Sequence, residues 1–173
     1  MSVRRAAVDD AEAIERIRVE TWRATYRGLL PDGLIDQLAR NVDRRRERLR
    51  SAPSSALNFV AEEGPDVVGY AFAGAERTHD REYAGEVYAI YVLPAAQGKG
   101  HGRALIRECA RALAAEGMTS MLIWVLRENQ IGRGFYERLG GTAVREKPLE
   151  EFPGAEAHIE VAYGWKDTRA LLA

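Results

Sequence analysis

Apolar positions repeat with a period of about two in some stretches and about 3.6 in others, and the alternation outlines one layered domain. Ser2 to Val8 forms a short opening strand. Asp9-Asp10 then caps a helix whose apolar positions Ala13, Ile14, Ile17 and Trp22 fall at helical spacing, ending at Gly28. Pro31-Asp32 opens a second helix, with Leu34, Ile35, Leu38 and Val42 on one side, running through an arginine cluster to Arg50. Ala56 to Glu62 and Val67 to Ala75 are strand-like, and Glu63-Gly64-Pro65-Asp66 between them suits a turn, so they predict a hairpin. Glu86 to Val92 is rich in β-branched and aromatic residues and reads as a central strand. From Gly102 to Gly117 the residues Leu105, Ile106, Cys109, Ala110, Leu113 and Ala114 keep to one helical stripe. A strand, Thr119 to Leu126, feeds a helix from Asn129 to Leu139 that Gly140-Gly141 breaks. Two strands follow, Thr142 to Glu146 and Ala157 to Trp165, around the acidic loop Leu149 to Gly154. About seven strands and about four helices in mixed order predict an α/β (α+β) layered sheet.

Between the central strand and the helix that follows lies Gln97-Gly98-Lys99-Gly100-His101-Gly102-Arg103. A glycine-rich turn delivering a strand into a helix N-terminus can hold phosphates, because its backbone takes unusual conformations and the helix's first N–H groups point outward. A Walker loop requires Ser or Thr after its lysine, and Gly100 follows Lys99, so no hydroxyl is available for magnesium. A dinucleotide fingerprint requires a third glycine where Arg103 stands.

Composition narrows the function classes. The chain has 173 residues, long enough for one domain (1–173), and no Pro/Gly/Ser-rich linker divides it. A net charge of −1 gives no bulk basic excess, so nucleic acid is not an expected partner. One basic run, Arg44-Arg45-Arg46-Glu47-Arg48 with Arg50, reads as the wet face of a helix, with anion binding as the alternative. The single cysteine, Cys109, excludes an internal disulfide and a cysteine-based cluster, and its place on an apolar stripe predicts core packing. His79, His101 and His158 lack ligand spacing, so no metal is predicted. Neither a signal-like stretch nor an apolar run of membrane-spanning length is present, and the expectation is a cytoplasmic protein without membrane association.

Read as Gln-x-x-Gly-x-Gly, Gln97, Gly100 and Gly102 resemble the acyl-coenzyme A pyrophosphate loop of the GNAT superfamily of N-acetyltransferases. Three further segments extend the resemblance: the strand Glu86 to Val92, Asn129 to Tyr136 as Asn-x-x-Ala-x-x-x-Tyr, and Phe135-Tyr136-Glu137-Arg138-Leu139-Gly140 as Phe-Tyr-x-x-Leu-Gly. It implies a mixed, mostly antiparallel sheet, acetyl-CoA as co-substrate, and transfer of acetyl by direct attack of a primary amine: a polyamine, amino acid, aminoglycoside or peptide amine. Backbone N–H groups of Gln97, Gly98, Lys99, Gly100, His101, Gly102 and Arg103 would take the pyrophosphate, with charge from Lys99 and Arg103. Main-chain groups of Ile90, Tyr91 and Val92 would take the pantetheine arm, the Ile90 N–H serving the thioester oxygen. Asn129 would touch the arm, or cap its helix, or do both.

Tyr136 matches the family's general acid for the departing thiolate. For the base the candidate is Glu86, which strand periodicity puts on one face with Tyr88 and Ile90; a plain strand-end carboxylate or a water relay is equally open. Trp22, Tyr26, Tyr88 and the acidic Glu150-Glu151 loop are nominated for the acceptor, and helix packing is the alternative for the first two. Gly132 stands in place of the family's alanine and Gly141 in place of a common aromatic. Dimers are common in the family, so a homodimer belongs to what the resemblance implies. A non-catalytic acyl-CoA sensor is the second functional reading.

Overall fold

Hydrophobic alternation and turn residues resolve into seven strands: β1 (Ser2–Arg5), β2 (Leu57–Glu63), β3 (Asp66–Ala75), β4 (Gly85–Val92), β5 (Met121–Leu126), β6 (Thr142–Pro148) and β7 (Ile159–Trp165). In the computed structural model, which describes residues 1–53, 55–149, 155 and 157–172, they form one sheet in the order β1-β2-β3-β4-β5-β7-β6. Every neighbouring pair is antiparallel except β4 and β5. Among the described residues, no helix is long and apolar enough to cross a membrane.

Helices cover both faces: α1 (Ala11–Tyr26), α2 (Asp32–Asp36), α3 (Val42–Arg50), α4 (His101–Ala115) and α5 (Gln130–Arg138). The stripe of α4 packs Leu105, Ile106, Cys109 and Leu113 against Leu57, Phe59, Val87, Ile123 and Tyr163. On the opposite face α1 sets Ile14 and Ile17 against Val60 and Tyr70. Each fully buried Leu or Ile contributes about 1.5–3 kcal/mol, so these two seams hold the layers together. Cys109 is wholly buried, and burial pushes its thiol up to about 12, as a core residue requires.

The sequence predicts one helix from Pro31 to Arg50, and the structure divides it. Residues 37–41 leave the helix because α1 competes for their backbone: Arg18 donates to the Ala39 carbonyl at 2.6 Å, and the Asn41 N–H donates to Glu15 at 2.9 Å. Asn41 then caps α3 by accepting from the Arg44 N–H at 3.1 Å.

The arginine run does not form one wet face either. Arg45 is buried, its guanidinium donates to Glu15 at 2.8 and 3.0 Å, and it lies over the Phe72 ring at 5.1 Å. Burial raises the Glu15 carboxyl, but hydrogen bonds from Arg18, the Asn41 N–H and Arg45 outweigh it and hold it at about 2.

A folded-state value below the ordinary 4.5 means that ionised Glu15 stabilises the fold above pH 4.5, and that this contribution is lost as pH falls toward 2. From the lowering of 4.5 to about 2 the contribution is on the order of 3 kcal/mol. Glu15→Gln should therefore lower stability in urea unfolding at neutral pH, and the gap from wild type should narrow through that acid window. A gap independent of pH would show that Glu15 is not held ionised in the fold.

Candidate active site

The sheet opens where β4 leaves β5. Only Gly85–Met121, Glu86–Leu122 and Val87–Ile123 pair across this parallel junction, and from Tyr88 onward the two strands diverge. On its other side β4 stays paired with β3 as far as Val92. The Leu93 N–H bonds to the Val68 carbonyl at 2.9 Å, so antiparallel alternation makes Tyr70–Tyr91 the next hydrogen-bonded pair. Ile90 and Val92, which alternate with it, turn their N–H and C=O groups toward the gap. The Val92 carbonyl is met there by the Gln97 side-chain amide at 3.0 Å, which ties the glycine turn to the strand end.

The gap widens into a cleft of about 680 Å³. Its walls are the end of α1 with Thr25 and Tyr26, β4 from Tyr88 to Val92, the glycine turn, Trp124 of β5, and α5 with Asn129 and Tyr136. Gly98 and Gly100 have φ of 75° and 92°, the left-handed region in which a side chain is strained. The first N–H past this turn to be bonded internally is that of Ala104, to the Gly100 carbonyl at 3.0 Å. The preceding N–H groups are the unpaired donors of a helix N-terminus beside the cleft, a cradle that suits a phosphate. Gly98, Gly100, Gly102, Gln97 and Arg103 line the cleft.

Two predicted members of the turn face elsewhere. The Lys99 ammonium pairs with Glu63 at 2.9 Å, and the buried His101 lies with Nε2 3.3 Å from the same carboxylate. Their side chains anchor the turn to the β2–β3 hairpin rather than lining the cleft.

Tyr136 sits at the cleft floor, 6% exposed, with its ring between those of Phe135, Tyr163 and Trp165. Burial raises its hydroxyl well above the ordinary 10.0, with the nearby Tyr91 adding to the effect, so it stays protonated at neutral pH. Asn129 caps α5 by accepting from the Gly132 N–H at 2.9 Å. Gly132 follows from that cap: a Cβ there would lie 2.9 Å from the Asn129 side chain and 3.0 Å from Val125. Gly141 likewise leaves space for the Trp165 indole, which a Cβ would approach to 2.6 Å.

The sequence prediction for Glu86 needs the most revision. It is 1% exposed and absent from the cleft lining, and it accepts from Arg77 through the backbone N–H at 3.2 Å and the guanidinium at 2.6 and 3.1 Å. Nor does it share a face with Ile90. Register passes from Phe72–Ala89 to Ala73–Val87, so Tyr88 is the extra residue of a β-bulge. The bulge shifts the alternation: Val87, Ile90 and Val92 face the α4 side, whereas Ala89 and Tyr91 face α1.

Of the acceptor candidates, Tyr26 and Tyr88 line the cleft and Trp22 does not. Trp22 packs edge-on against Tyr26 at 4.9 Å and donates from Nε1 to the Tyr91 hydroxyl at 2.9 Å, so it positions that tyrosine. Tyr88 donates to the Ala75 carbonyl at 2.6 Å and lies under the Arg77 guanidinium at 4.5 Å. Glu150 and Glu151 lie outside the described residues. Sequence reasoning missed Thr25, Trp124 and Glu128, the last being the carboxylate in the cleft lining among the described residues. The signal for Trp124 and Glu128 was available: ligands gather at the carboxyl ends of adjacent parallel strands, and β5 ends at Leu126.

Comparison with known proteins agrees with this geometry. The model of the acetyltransferase (GNAT) family matches residues 13–141. The chain is 32% identical over 171 residues to the uncharacterized N-acetyltransferase YuaI of Bacillus subtilis (strain 168), covering 99% of this chain and 96% of that one. Its fold is similar to the PaiA N-acetyltransferase from Thermoplasma acidophilum in complex with coenzyme A, with a TM-score of 0.73 at 18% identity over 95% of this chain and 98% of that one. It is equally similar to YncA from Salmonella typhimurium with its cofactor acetyl-CoA, with a TM-score of 0.73 at 23% identity over 95% and 92% of the two chains. A family match over most of the length, joined to the splayed β4–β5 seam and its glycine turn, places this chain in the GNAT family of acetyl-CoA-dependent acetyltransferases.

Proposed function

We propose that this enzyme moves the acetyl group of acetyl-CoA to a primary amine by direct attack, in the cleft between β4 and β5. The observation that carries the reading is the set of main-chain groups of Ile90 and Val92 turned into a gap that ends on the glycine turn, with Tyr136 buried at its floor. The free edge of β4 suits the amide-bearing pantetheine arm, and the N–H groups around Gly98 and Gly100, with Arg103, suit the pyrophosphate. Acetyl-CoA supplies an activated acyl thioester.

The chain's own groups then serve the developing charge and the departing sulfur. The Ile90 N–H, turned into the gap, suits donation to the thioester oxygen as negative charge develops there. Tyr136 holds a proton for the departing sulfur and keeps it at neutral pH because burial raises its hydroxyl. A lysine-type amine, with a pKa of about 10.4, is neutral in fewer than about one molecule per thousand at pH 7, so its proton must leave before attack. Glu86 does not suit that step, since Arg77 occupies its carboxylate away from the cleft. Proton loss to water in the cleft is the reading the geometry supports. Tyr26 and Tyr88 offer aromatic faces and Glu128 a negative charge to a cationic acceptor.

Tyr136→Phe should lower kcat about 100-fold or more while coenzyme A affinity stays close to wild type. Thiol release and calorimetric titration measure the two quantities, and unchanged turnover would remove Tyr136 as the acid. Glu86→Gln should reduce thermal stability and leave kcat far less affected than Tyr136→Phe; a comparable loss of kcat in a folded variant would restore Glu86 as the base.

The pH profile follows from the same assignments. With Tyr136 raised above the ordinary 10.0, kcat/KM should climb through neutral pH as the free amine forms, without a falling limb below pH 10. Polyamines, amino acids, aminoglycosides and peptide amines form the acceptor panel. Thiol release with a member of the panel supports the enzyme reading, whereas tight acetyl-CoA binding without release on any of them would favour a sensor.

A further inference from the structure

Nearer the start of α1, a second concavity of about 440 Å³ shares no lining residue with the catalytic cleft. Five arginines line it: Arg18 of α1, Arg40 of the α2–α3 connection, and Arg44, Arg45 and Arg48 of α3. This concentration stands out in a chain whose net charge is −1. Neutralisation inside the cluster is uneven. Glu15, the lining carboxylate, is consumed by Arg18, Arg45 and the Asn41 N–H, and Arg40 reaches the exposed Glu20 at 3.2 Å.

The acids of α3 serve its outer face. Asp43 pairs with Arg46 and Glu47 with Arg50, both at i,i+3, and neither acid reaches the arginines that line the pocket. Among the described residues, Arg44 and Arg48 have no carboxylate within ion-pair distance. They stand at i,i+4 on one helix face, a like-charge spacing that weakens a helix. Two lining carbonyls that would repel an anion are already occupied, Leu38 by Arg23 at 3.2 Å and Ala39 by Arg18 at 2.6 Å.

We propose that this pocket binds a compact anion of two or more charges, phosphoryl or polycarboxylate, gripped by the guanidinium forks of Arg44 and Arg48 with Arg18, Arg40 and Arg45 behind them. Guanidinium groups match the paired oxygens of such anions in bidentate geometry. The volume is ample for a phosphate ester or a tricarboxylate. The Arg48 guanidinium is lowered, by burial first and then by the charges of Arg44 and Arg45, which is crowding that a bound anion relieves. A single helix carries both sites: α1 supplies Glu15 and Arg18 here and Thr21, Ala24, Thr25 and Tyr26 to the cleft.

The test uses the full chain titrated calorimetrically with pyrophosphate and, separately, with citrate at one fixed ionic strength, with thermal unfolding followed in parallel. The comparison proteins are the double variant Arg44→Gln/Arg48→Gln and the single variant Arg103→Gln at the glycine turn. Saturable binding to wild type should weaken about tenfold or more in the double variant and persist in Arg103→Gln. The two anions distinguish phosphoryl from polycarboxylate recognition. Without anion the double variant should unfold no lower than wild type, because it relieves repulsion; a purely structural role for these arginines would lower it. A wild type that binds neither anion saturably, or a double variant that binds them as wild type does, overturns the proposal.

Discussion

Three residue pairs across the β4–β5 junction set the geometry on which the rest of the molecule depends. They are the sheet's parallel pairs, and they join an antiparallel block of β1 to β4 with a second block of β5, β7 and β6. A parallel neighbour cannot follow by a tight turn, so the chain must cross over, and α4 is the crossover. Divergence after Val87 leaves one edge of β4 unpaired at the point where the glycine turn enters α4. A pairing that continued to Val92 would bury the main-chain groups of Ile90 and Val92 in a ladder and close the cleft.

Bonds outside the reacting set hold the walls of that opening. The Gln97 amide on the Val92 carbonyl fixes the turn to the strand, and the Trp22 indole on the Tyr91 hydroxyl fixes the strand to α1. Lys99 and His101 tie the turn to Glu63 on the neighbouring hairpin. Two glycines work by close approach: Phe135 of α5 lies 3.1 Å from where a Cβ on Gly102 of α4 would stand, and Trp165 fills the space that Gly141 leaves. Polar residues near a site thus divide into those that face the ligand and those that hold the backbone which does.

The fold was legible because its signals are local. Seven strand patterns, the α4 stripe and the turn glycines each depend on neighbours in sequence, and each formed. What sequence reasoning misplaced depends on distant partners. The predicted second helix breaks because Glu15 and Arg18, on another element, take its backbone groups. Glu86 sits on the expected strand, but its carboxylate belongs to Arg77, and strand periodicity holds no trace of that ion pair. The family resemblance put Lys99 and Trp22 beside a ligand, whereas their heads go to Glu63 and Tyr91. Tyr136 was nominated through the family's Asn-x-x-Ala-x-x-x-Tyr segment, and the structure buries its ring at the edge of the cleft.

The bulge at Tyr88 has an evolutionary consequence. Removing a residue from a regular strand slips its pairing by one and exchanges its two faces along the remainder. At Tyr88 the extra residue lies between two registers that are each already in phase with β3. Loss of that one residue would heal the ladder and leave Glu86 and Ile90 each on its present face, making this a joint at which β4 can change length without rearranging either end. Roles carried between related chains along this strand therefore shift by one position unless the joint is counted.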